Sequence, residues 1–208
     1  MGHREDAVIV NTIVRQALVS AEEVMGTNGL NAVLRLSGLE RFVNNIPPDD
    51  LEPSIQAAEY AQLNQAIEEF YGRGGKGMLR RIGKASFQYA IKEQAALLGV
   101  AGTALKLLPQ KQRIKFILNS MVNALKKSNA QVEAWVDEEG ENIAFVESSC
   151  AICHSRQSEE PICYLYIGSI GEAVHWATGK EYKITETHCI AKGDEYCRFE
   201  VGDALDDD

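Results

Sequence analysis

Apolar residues recur at helical spacing through roughly the first 130 residues of the chain. This periodicity predicts six helices, four long and two short: 8–25, 31–37, 53–71, 78–95, a segment ending before Pro109, and 110–127. Gly26 is placed to end the first helix and Pro53 to begin the third. The turn-forming segment 44–50 and the glycine-rich tract 72–77 separate the longer helices. The N-terminal part of the chain is therefore expected to be helical.

The pattern changes from helical to alternating after about residue 130. Residues 132–136 alternate between apolar and polar side chains, and an acidic turn over 137–141 leads to a return strand over 143–147. A further helix over 162–177 precedes two strands, over 181–191 and 195–201. Helices followed by a β-β-α-β-β unit predict an α+β fold, in which the N-terminal helices pack on a twisted antiparallel sheet.

Composition and charge narrow the class of protein. The chain has 208 residues, enough for one good hydrophobic core, and a formal net charge of −9, which argues against direct nucleic-acid binding. Twelve lysines and arginines but one acid lie between Arg73 and Lys127. These basic helices either pack beside acidic ones or a sibling subunit, or they form an entrance for an anionic ligand or acidic partner. No secretory signal or membrane span is evident, so we expect a cytoplasmic protein with reduced thiols.

Five cysteines are confined to the last third of the chain, and the first 149 residues contain none. An odd number of cysteines fits poorly with a closed set of disulfides. Thiolates beside imidazole or carboxylate groups are the ligands that zinc prefers, and four of them close a tetrahedral site. The cysteine-rich segment is therefore predicted to hold a metal ion, although a single buried cysteine is more often a small apolar residue.

Strand geometry suggests which of these residues meet. If residues 192–194 form a three-residue hairpin loop, Cys189 lies opposite Cys197, at a separation that suits two thiolates on one metal. Cys163, at the start of the preceding helix, can reach the same face of the sheet. A regular strand turns Glu186 to the opposite face, so its participation needs a bulge near residues 187–188.

The fourth ligand has alternatives in the same segment. Cys150 and Cys153 have the C-x-x-C spacing that grips one ion, and His154 and His188 are reserve candidates. A cysteine nucleophile or a redox pair is less favoured, because no Cys–His–acid arrangement is singled out and the βαβ context of a redox motif is missing.

The segment from Cys150 to Val201 resembles the 4-vinyl-reductase domain family of small-molecule and hydrocarbon-binding domains. The resemblance is carried by the cysteine before the helix, by four glycines (168, 171, 179 and 193) and by the ending ETHCIAKGDEYCRFEV. The upstream YGRGGKGMLRRIGKASF is also similar to the family's first helices. The resemblance implies a fold related to the haem-NO-binding and TRAPP-subunit superfamily, and a homodimer as the expected assembly.

The resemblance also implies a ligand set. The chain is similar to the sensor domains of phenol-responsive transcription activators, which bind zinc through three cysteines and one glutamate. Cys163, Glu186, Cys189 and Cys197 match that pattern. The pair Cys150 and Cys153 departs from the pattern and supplies alternative ligands. A site with four protein ligands is structural, so the zinc is expected to stabilise the fold.

The resulting prediction is a zinc-stabilised domain that binds a small hydrophobic or aromatic molecule, as a carrier, sensor or adaptor. The expected organisation is a helical extension over 1–50, a ligand-binding domain over 51–202 and an acidic, disordered tail over 203–208. Aromatic side chains are the candidate pocket walls, although each is also explained as ordinary core: Phe87, Trp135, Phe145, Tyr164 and Trp176.

Two other functions stay open at this point. One is an accessory role in vinyl reduction of bacteriochlorophyll or another tetrapyrrole, which the family's name implies. The other is a scaffold dimer without a ligand, in the manner of the TRAPP subunits. No nucleotide fingerprint or flavin motif is present in the sequence, so a carrier is favoured over a reductase, and whether the chain is an enzyme stays open.

Overall fold

The computed structural model describes residues 7–93, 105–128, 132–139 and 142–205. Within these ranges five α-helices are present: α1 (Asn11–Leu36), α2 (Ala57–Tyr71), α3 (Gly75–Glu93), α4 (Gln110–Ser128) and α5 (Tyr164–Thr178). The same ranges contain six strands: β1 (Val8–Val10), β2 (Pro53–Gln56), β3 (Ala134–Glu139), β4 (Asn142–Glu147), β5 (Tyr182–His188) and β6 (Cys197–Ala204). Short 3-10 helices cover Glu40–Phe42, Gly72–Gly74 and Ile190–Lys192.

The N-terminal segment contains two short strands that the sequence pattern did not predict. Pro53 begins strand β2 rather than a helix, and β2 pairs antiparallel with β1, which was expected to be the first turn of α1. Helix α2 begins at Ala57, where Gln56 and Glu59 form a capping box that satisfies backbone groups at the helix start. Gly26 does leave helical geometry, with φ 74° and ψ 162°, but the chain resumes the helix after this kink. The predicted short helix over 31–37 is the end of α1.

Strands β3 to β6 form one antiparallel sheet in the order β3-β4-β6-β5, with α5 connecting β4 to β5. The fold is therefore α+β, and the β-β-α-β-β unit expected from the sequence is confirmed. Residues 140–141 of the first hairpin lie outside the described residues. The predicted helix before Pro109 falls largely on residues 94–104, which also lie outside them.

Helices α3 and α5 pack at unusually close range. Gly83 of α3 lies against the backbone carbonyl of Leu165, and Gly168 of α5 lies against the carbonyl of Arg80, so a Cβ at either glycine would overlap a backbone oxygen. Gly77, near the start of α3, has open space around it. This close crossing fixes α5, and hence Cys163 at its start, against the helical half of the molecule.

The C-terminal strand extends beyond the predicted start of the acidic tail. Strand β6 continues through Ala204, so residues 203 and 204 are part of the sheet. Residues 206–208 lie outside the described residues. Among the helices that the structure describes, none is long and apolar enough to cross a membrane.

Candidate metal centre and cavity

All five cysteines are buried and free of disulfides, and they meet beneath the sheet. Cys163 is the N-cap residue of α5, and Cys197 is the first residue of β6, paired with Glu147 of β4. Cys150 and Cys153 lie in the irregular segment between β4 and α5, and Cys189 follows the end of β5. Four separate parts of the chain therefore contribute sulfur atoms to one cluster.

The sulfur atoms are in mutual contact. The Sγ atom of Cys163 lies 3.7 Å from that of Cys150, 4.0 Å from that of Cys189 and 3.9 Å from that of Cys197. The Sγ atoms of Cys153 and Cys197 are 3.4 Å apart. With Zn–S bonds of about 2.3 Å, sulfur atoms at the corners of a tetrahedron are separated by about 3.8 Å. The observed spacing therefore fits thiolates that share a metal ion.

Two groups of four residues have their ligand atoms within 4.8 Å of one another. The first is the set that the sequence resemblance implied: Cys163, Glu186, Cys189 and Cys197. The second contains the alternative ligands: Cys150, Cys153, Cys163 and Cys197. Cys163 and Cys197 belong to both groups. The structure thus brings together all six metal-ligand candidates of the sequence other than the histidines.

Glu186 reaches the cluster because strand β5 is irregular at that point. The pairing of β5 with β6 shifts register between Glu186 and His188, which is the bulge that participation of Glu186 requires. Its Oε2 atom accepts a hydrogen bond of 2.8 Å from the backbone N–H of Cys163. Its Oε1 atom is buried and has no hydrogen-bond partner among the described residues. One carboxylate oxygen therefore caps helix α5, and the other is free to bind a cation.

The connection after β5 is longer than the predicted three-residue loop. The backbone N–H of Cys189 donates to Asp194 Oδ2 at 2.8 Å, and Gly193 supplies the left-handed backbone, with φ 96°. The N–H of Ile190 points at Cys197 Sγ, 3.4 Å away. This loop positions Cys189 and places a backbone donor at Cys197, although hydrogen bonding with Cys150 and Cys153 raises the pKa of Cys197 overall.

The crowded thiols perturb one another strongly. Hydrogen bonding with Cys153, and then with Cys163 and Cys197, lowers the pKa of Cys150 well below its ordinary value. Hydrogen bonding with Cys150 and the other thiols raises the pKa of Cys163. Burial, followed by the charge of Cys189, raises the pKa of Glu186 to about 8. Without a cation the cluster shares protons among its members, because buried anions in contact repel one another.

A cavity of about 1810 Å³ adjoins the cluster. Its walls come from α1, α3, α4 and α5, and from the segment 148–159 that carries Cys150 and Cys153. Cys150 itself lines the cavity, so one residue belongs both to the sulfur cluster and to the cavity wall.

The aromatic residues named from the sequence divide between this cavity and other places. Phe87 lines the cavity. Trp135 is 41% exposed and packs on Tyr196, whereas Phe145 is fully buried against Phe199 and Tyr166. Trp176 packs against the hydrophobic core, and the ring of Tyr164 lies under the charged groups of Lys76 and Arg80. The cavity lining therefore does not include Trp135, Phe145 or Trp176. For Trp135 the reason is strand alternation, which turns its side chain to the outer face of the sheet.

The reserve histidines lie outside both four-residue groups. His154 is half-buried and lines the cavity. His188 packs on the ring of Tyr196 and hydrogen-bonds Thr187.

Glu147, which the sequence reasoning did not single out as a site residue, lies at the cavity wall. It is 3% exposed, and its Oε2 atom has no hydrogen-bond partner among the described residues. Burial raises its pKa to about 7, opposed by hydrogen bonding to Tyr166 and Ser149. The sequence did contain a signal for this residue. Strand alternation places its carboxylate on the same inward face of β4 as the apolar Ile143 and Phe145, and a buried carboxylate is unusual.

Residues 143–203, which contain the whole cysteine cluster, match the V4R domain family model. This C-terminal segment is similar to the V4R domain family. The matched segment is shorter than the domain of 51–202 expected from the sequence, and covers the sheet from β4 onward with α5. The V4R match confirms the resemblance to the 4-vinyl-reductase family.

Other proteins resemble this chain in sequence or in structure. An uncharacterized protein of Methanocaldococcus jannaschii is 35% identical over 83 residues, which is 39% of this chain and 35% of the relative. The matched region thus spans about a third of that relative. The Fe(II) unliganded H-NOX protein from K. algicida has a similar structure, with a TM-score of 0.61, 12% identity, and coverage of 96% of this chain and 98% of that one. A structure solved to probe haem distortion in the H-NOX family gives a TM-score of 0.61, 13% identity and 93% coverage of each chain. The chain therefore shares the fold of these H-NOX proteins.

Proposed function

We propose that this protein is a zinc-stabilised domain that binds a small hydrophobic or aromatic molecule in the cavity, as a carrier, sensor or adaptor. The observation that carries the proposal is the position of Cys150, which lines the cavity and touches the sulfur cluster. The proposed metal centre would then lie directly beside the ligand cavity, because Cys150 touches the sulfur of Cys163.

The residues fit a zinc ion in the group of Cys163, Glu186, Cys189 and Cys197. The sulfur of Cys163 stands at tetrahedral spacing from those of Cys189 and Cys197, and the orphaned Glu186 Oε1 supplies the fourth ligand. Bound zinc would favour the ionised form of each ligand and remove the mutual repulsion of buried anions. It would also tie the β5–β6 connection to the start of α5. No position for substrate is left on a four-ligand ion, which supports a structural role.

The cavity has the chemistry of a ligand pocket. Its wall is mainly apolar in surface area and also carries polar groups, among them Tyr60, Glu147 and Tyr166. Pockets of this kind orient an apolar body by a small number of hydrogen bonds. At neutral pH Glu147 is partly protonated, so it can accept from or donate to a hydroxyl group of the ligand.

Filling the cavity should weaken ligand binding without loss of metal. Ala90→Phe places an aromatic ring in the cavity wall, and we expect it to lower the affinity for the neutral probe N-phenylnaphthylamine about tenfold or more, equivalent to about 1.4 kcal/mol. Fluorescence titration measures the affinity. Ala58→Phe, at an exposed position of α2, is the matched control and should bind as the wild type does. Equal binding by all three proteins would contradict the assignment of the cavity.

Glu147 should make stability depend on pH. Its pKa is about 7 in the folded protein and about 4.5 as the ordinary value, so the folded state retains a proton that the unfolded chain releases. The stability from this group is fully present below about pH 4.5 and is lost as the pH rises through about 7. Between pH 5 and 8 the wild type should lose about 2.5 kcal/mol relative to Glu147→Gln, since one pKa unit corresponds to about 1.4 kcal/mol.

Denaturant unfolding at several pH values measures this difference. Glu52→Gln, at an exposed carboxylate, controls for the loss of one formal charge and should follow the wild type. A difference between wild type and Glu147→Gln that is constant across the range would mean that Glu147 does not change protonation on unfolding.

A tetrapyrrole is the second candidate ligand, favoured by the size of the cavity and by a histidine in its wall. The cavity is larger than the roughly 300–1,000 Å³ typical of small-molecule pockets, and His154, a potential axial ligand, lines it. Neighbours of the same fold are H-NOX proteins, and one was studied for haem distortion. Titration with haemin tests this candidate. A shift of the Soret band that occurs with the wild type and is lost in His154→Ala supports a tetrapyrrole ligand, and the absence of a shift with the wild type rules it out.

The homodimer and the cytoplasmic location stay predictions from the sequence. A scaffold role without ligand would need a filled core and a large apolar surface. The cavity instead favours a ligand-binding role, and sedimentation velocity tests the dimer.

A further inference from the structure

The two ligand groups share Cys163 and Cys197, which raises the question of how many ions the cluster holds. A tetrahedral ion takes four ligands. A single ion in the group with Glu186 leaves Cys150 and Cys153 unused, although both touch the shared sulfur atoms.

We infer that the cluster holds two divalent metal ions, bridged by the thiolates of Cys163 and Cys197. Cys150 and Cys153 complete the tetrahedron of one ion, and Glu186 and Cys189 complete that of the other. This inference rests on the proposed zinc site and adds a second ion beside it. Zinc suits both positions, because each combines thiolate ligands with tetrahedral spacing.

The distances support the Cys150–Cys153 half as a complete site. Cys150 lies 3.7 Å from one bridging sulfur, and Cys153 lies 3.4 Å from the other, while the two bridging sulfurs are 3.9 Å apart. These distances are close to about 3.8 Å, the separation of two sulfur atoms at the corners of a zinc–sulfur tetrahedron. The spacing C-x-x-C is also the one that lets two thiolates of a loop grip one ion.

The loop that carries these two cysteines provides a separate argument. Residues 148–163 have no helix or strand, yet Cys150, Ile152 and Cys153 are almost fully buried. A long irregular loop usually needs its own structural tie. Three described backbone hydrogen bonds join it to the rest of the chain, from Ser148 to Glu133, from Ser158 to Ala191 and from Ile167 to Cys163, and an ion pair joins Arg156 to Glu68 of α2. An ion held by Cys150 and Cys153 would anchor the first part of the loop, ahead of the Arg156–Glu68 ion pair.

A consequence follows for the ligand cavity. The loop residues from Ser148 to Ile152 line the cavity, so the second ion would hold this wall in place. The ion in the Glu186 group would instead hold the β5–β6 connection. The two ions therefore have separable structural roles, and hydrogen exchange can distinguish them.

The zinc content of three proteins tests the inference. Wild type, the double variant Cys150→Ser/Cys153→Ser and the variant Cys189→Ser are purified without added metal and analysed by native mass spectrometry and elemental analysis. We expect two, one and one zinc ions per chain. The double variant should also exchange amide hydrogens faster over residues 148–163, while β5 and β6 keep their wild-type protection.

The outcomes separate this inference from the proposed function. One ion in the wild type and one in the double variant overturns the second ion and leaves the Glu186 site intact. One ion in the wild type and none in the double variant assigns a single ion to the four-cysteine group, which overturns both. No metal in the wild type also overturns both.

Cadmium NMR of the wild type gives a measurement that does not depend on a folded variant. We expect two cadmium resonances, one from an ion with four sulfur ligands and one from an ion with three sulfur ligands and one oxygen ligand. The two resonances should be coupled through the bridging thiolates. A single resonance at full occupancy contradicts the bridged pair.

Discussion

Replacing Cys197 with serine is expected to remove the bound zinc and to lower the free energy of unfolding by more than about 4 kcal/mol. Cys197 belongs to both ligand groups, so its loss affects every metal position in the cluster. The serine hydroxyl is a weaker zinc ligand than a thiolate, and the remaining buried thiols then have no cation to offset their charge. Elemental analysis and denaturant unfolding measure the two effects.

Chelation distinguishes loss of metal from a simple packing defect in Cys197→Ser. Wild type and variant are each unfolded with and without a strong zinc chelator. If metal loss is the cause, the chelator lowers the free energy of unfolding of the wild type to that of the variant and leaves the free energy of unfolding of the variant unchanged. A variant that retains a full complement of zinc, or one that chelator destabilises as much as the wild type, contradicts the assignment of Cys197 as a ligand.

Replacing Gly168 with alanine is expected to cost at least about 3 kcal/mol, because the new Cβ would overlap the carbonyl oxygen of Arg80. Backbone atoms cannot move aside as the end of a side chain can, so helices α3 and α5 would have to separate. Thermal and denaturant unfolding measure the loss. The bound zinc should survive in the folded fraction, since Gly168 is one turn beyond the metal-binding end of α5.

Gly77→Ala is the matched control for Gly168→Ala. Gly77 also lies in a helix, but no atom stands within 4 Å of the position of its added Cβ. The substitution should be neutral or stabilise the protein by up to about 1 kcal/mol, because alanine has the higher helix propensity. Similar effects from the two substitutions would mean that α3 and α5 are not packed as closely as described.

Much of the fold follows from local patterns in the sequence. The change from helical to alternating periodicity locates the β-β-α-β-β unit, and Gly179 ends α5 in the left-handed conformation expected of a C-cap. The strands β1 and β2 were missed because each is only three or four residues long. Their pairing joins segments more than 40 residues apart, and no periodicity in so short a segment distinguishes it from the first turn of the adjoining helix.

The sequence named the residues that meet in the cysteine cluster, but it did not predict how they are arranged. Strand alternation placed Glu186 on the wrong face, and only a bulge brings it to Cys163. The sharing of Cys163 and Cys197 by two groups is a tertiary feature that spacing in sequence cannot express. Trp135 was named as a pocket residue because strand alternation turns it away from Ala134 and Val136, but which side of a sheet faces the cavity depends on how the helices pack.

The central claim is that the cysteine cluster is a zinc centre. Its most direct test is an anomalous-difference map at the zinc edge, from crystals of protein purified without added metal. The account predicts a peak bonded to the sulfur atoms of Cys163, Cys189 and Cys197 and to Oε1 of Glu186. A well-ordered map with no anomalous density among these atoms, and with five free thiols, would contradict it.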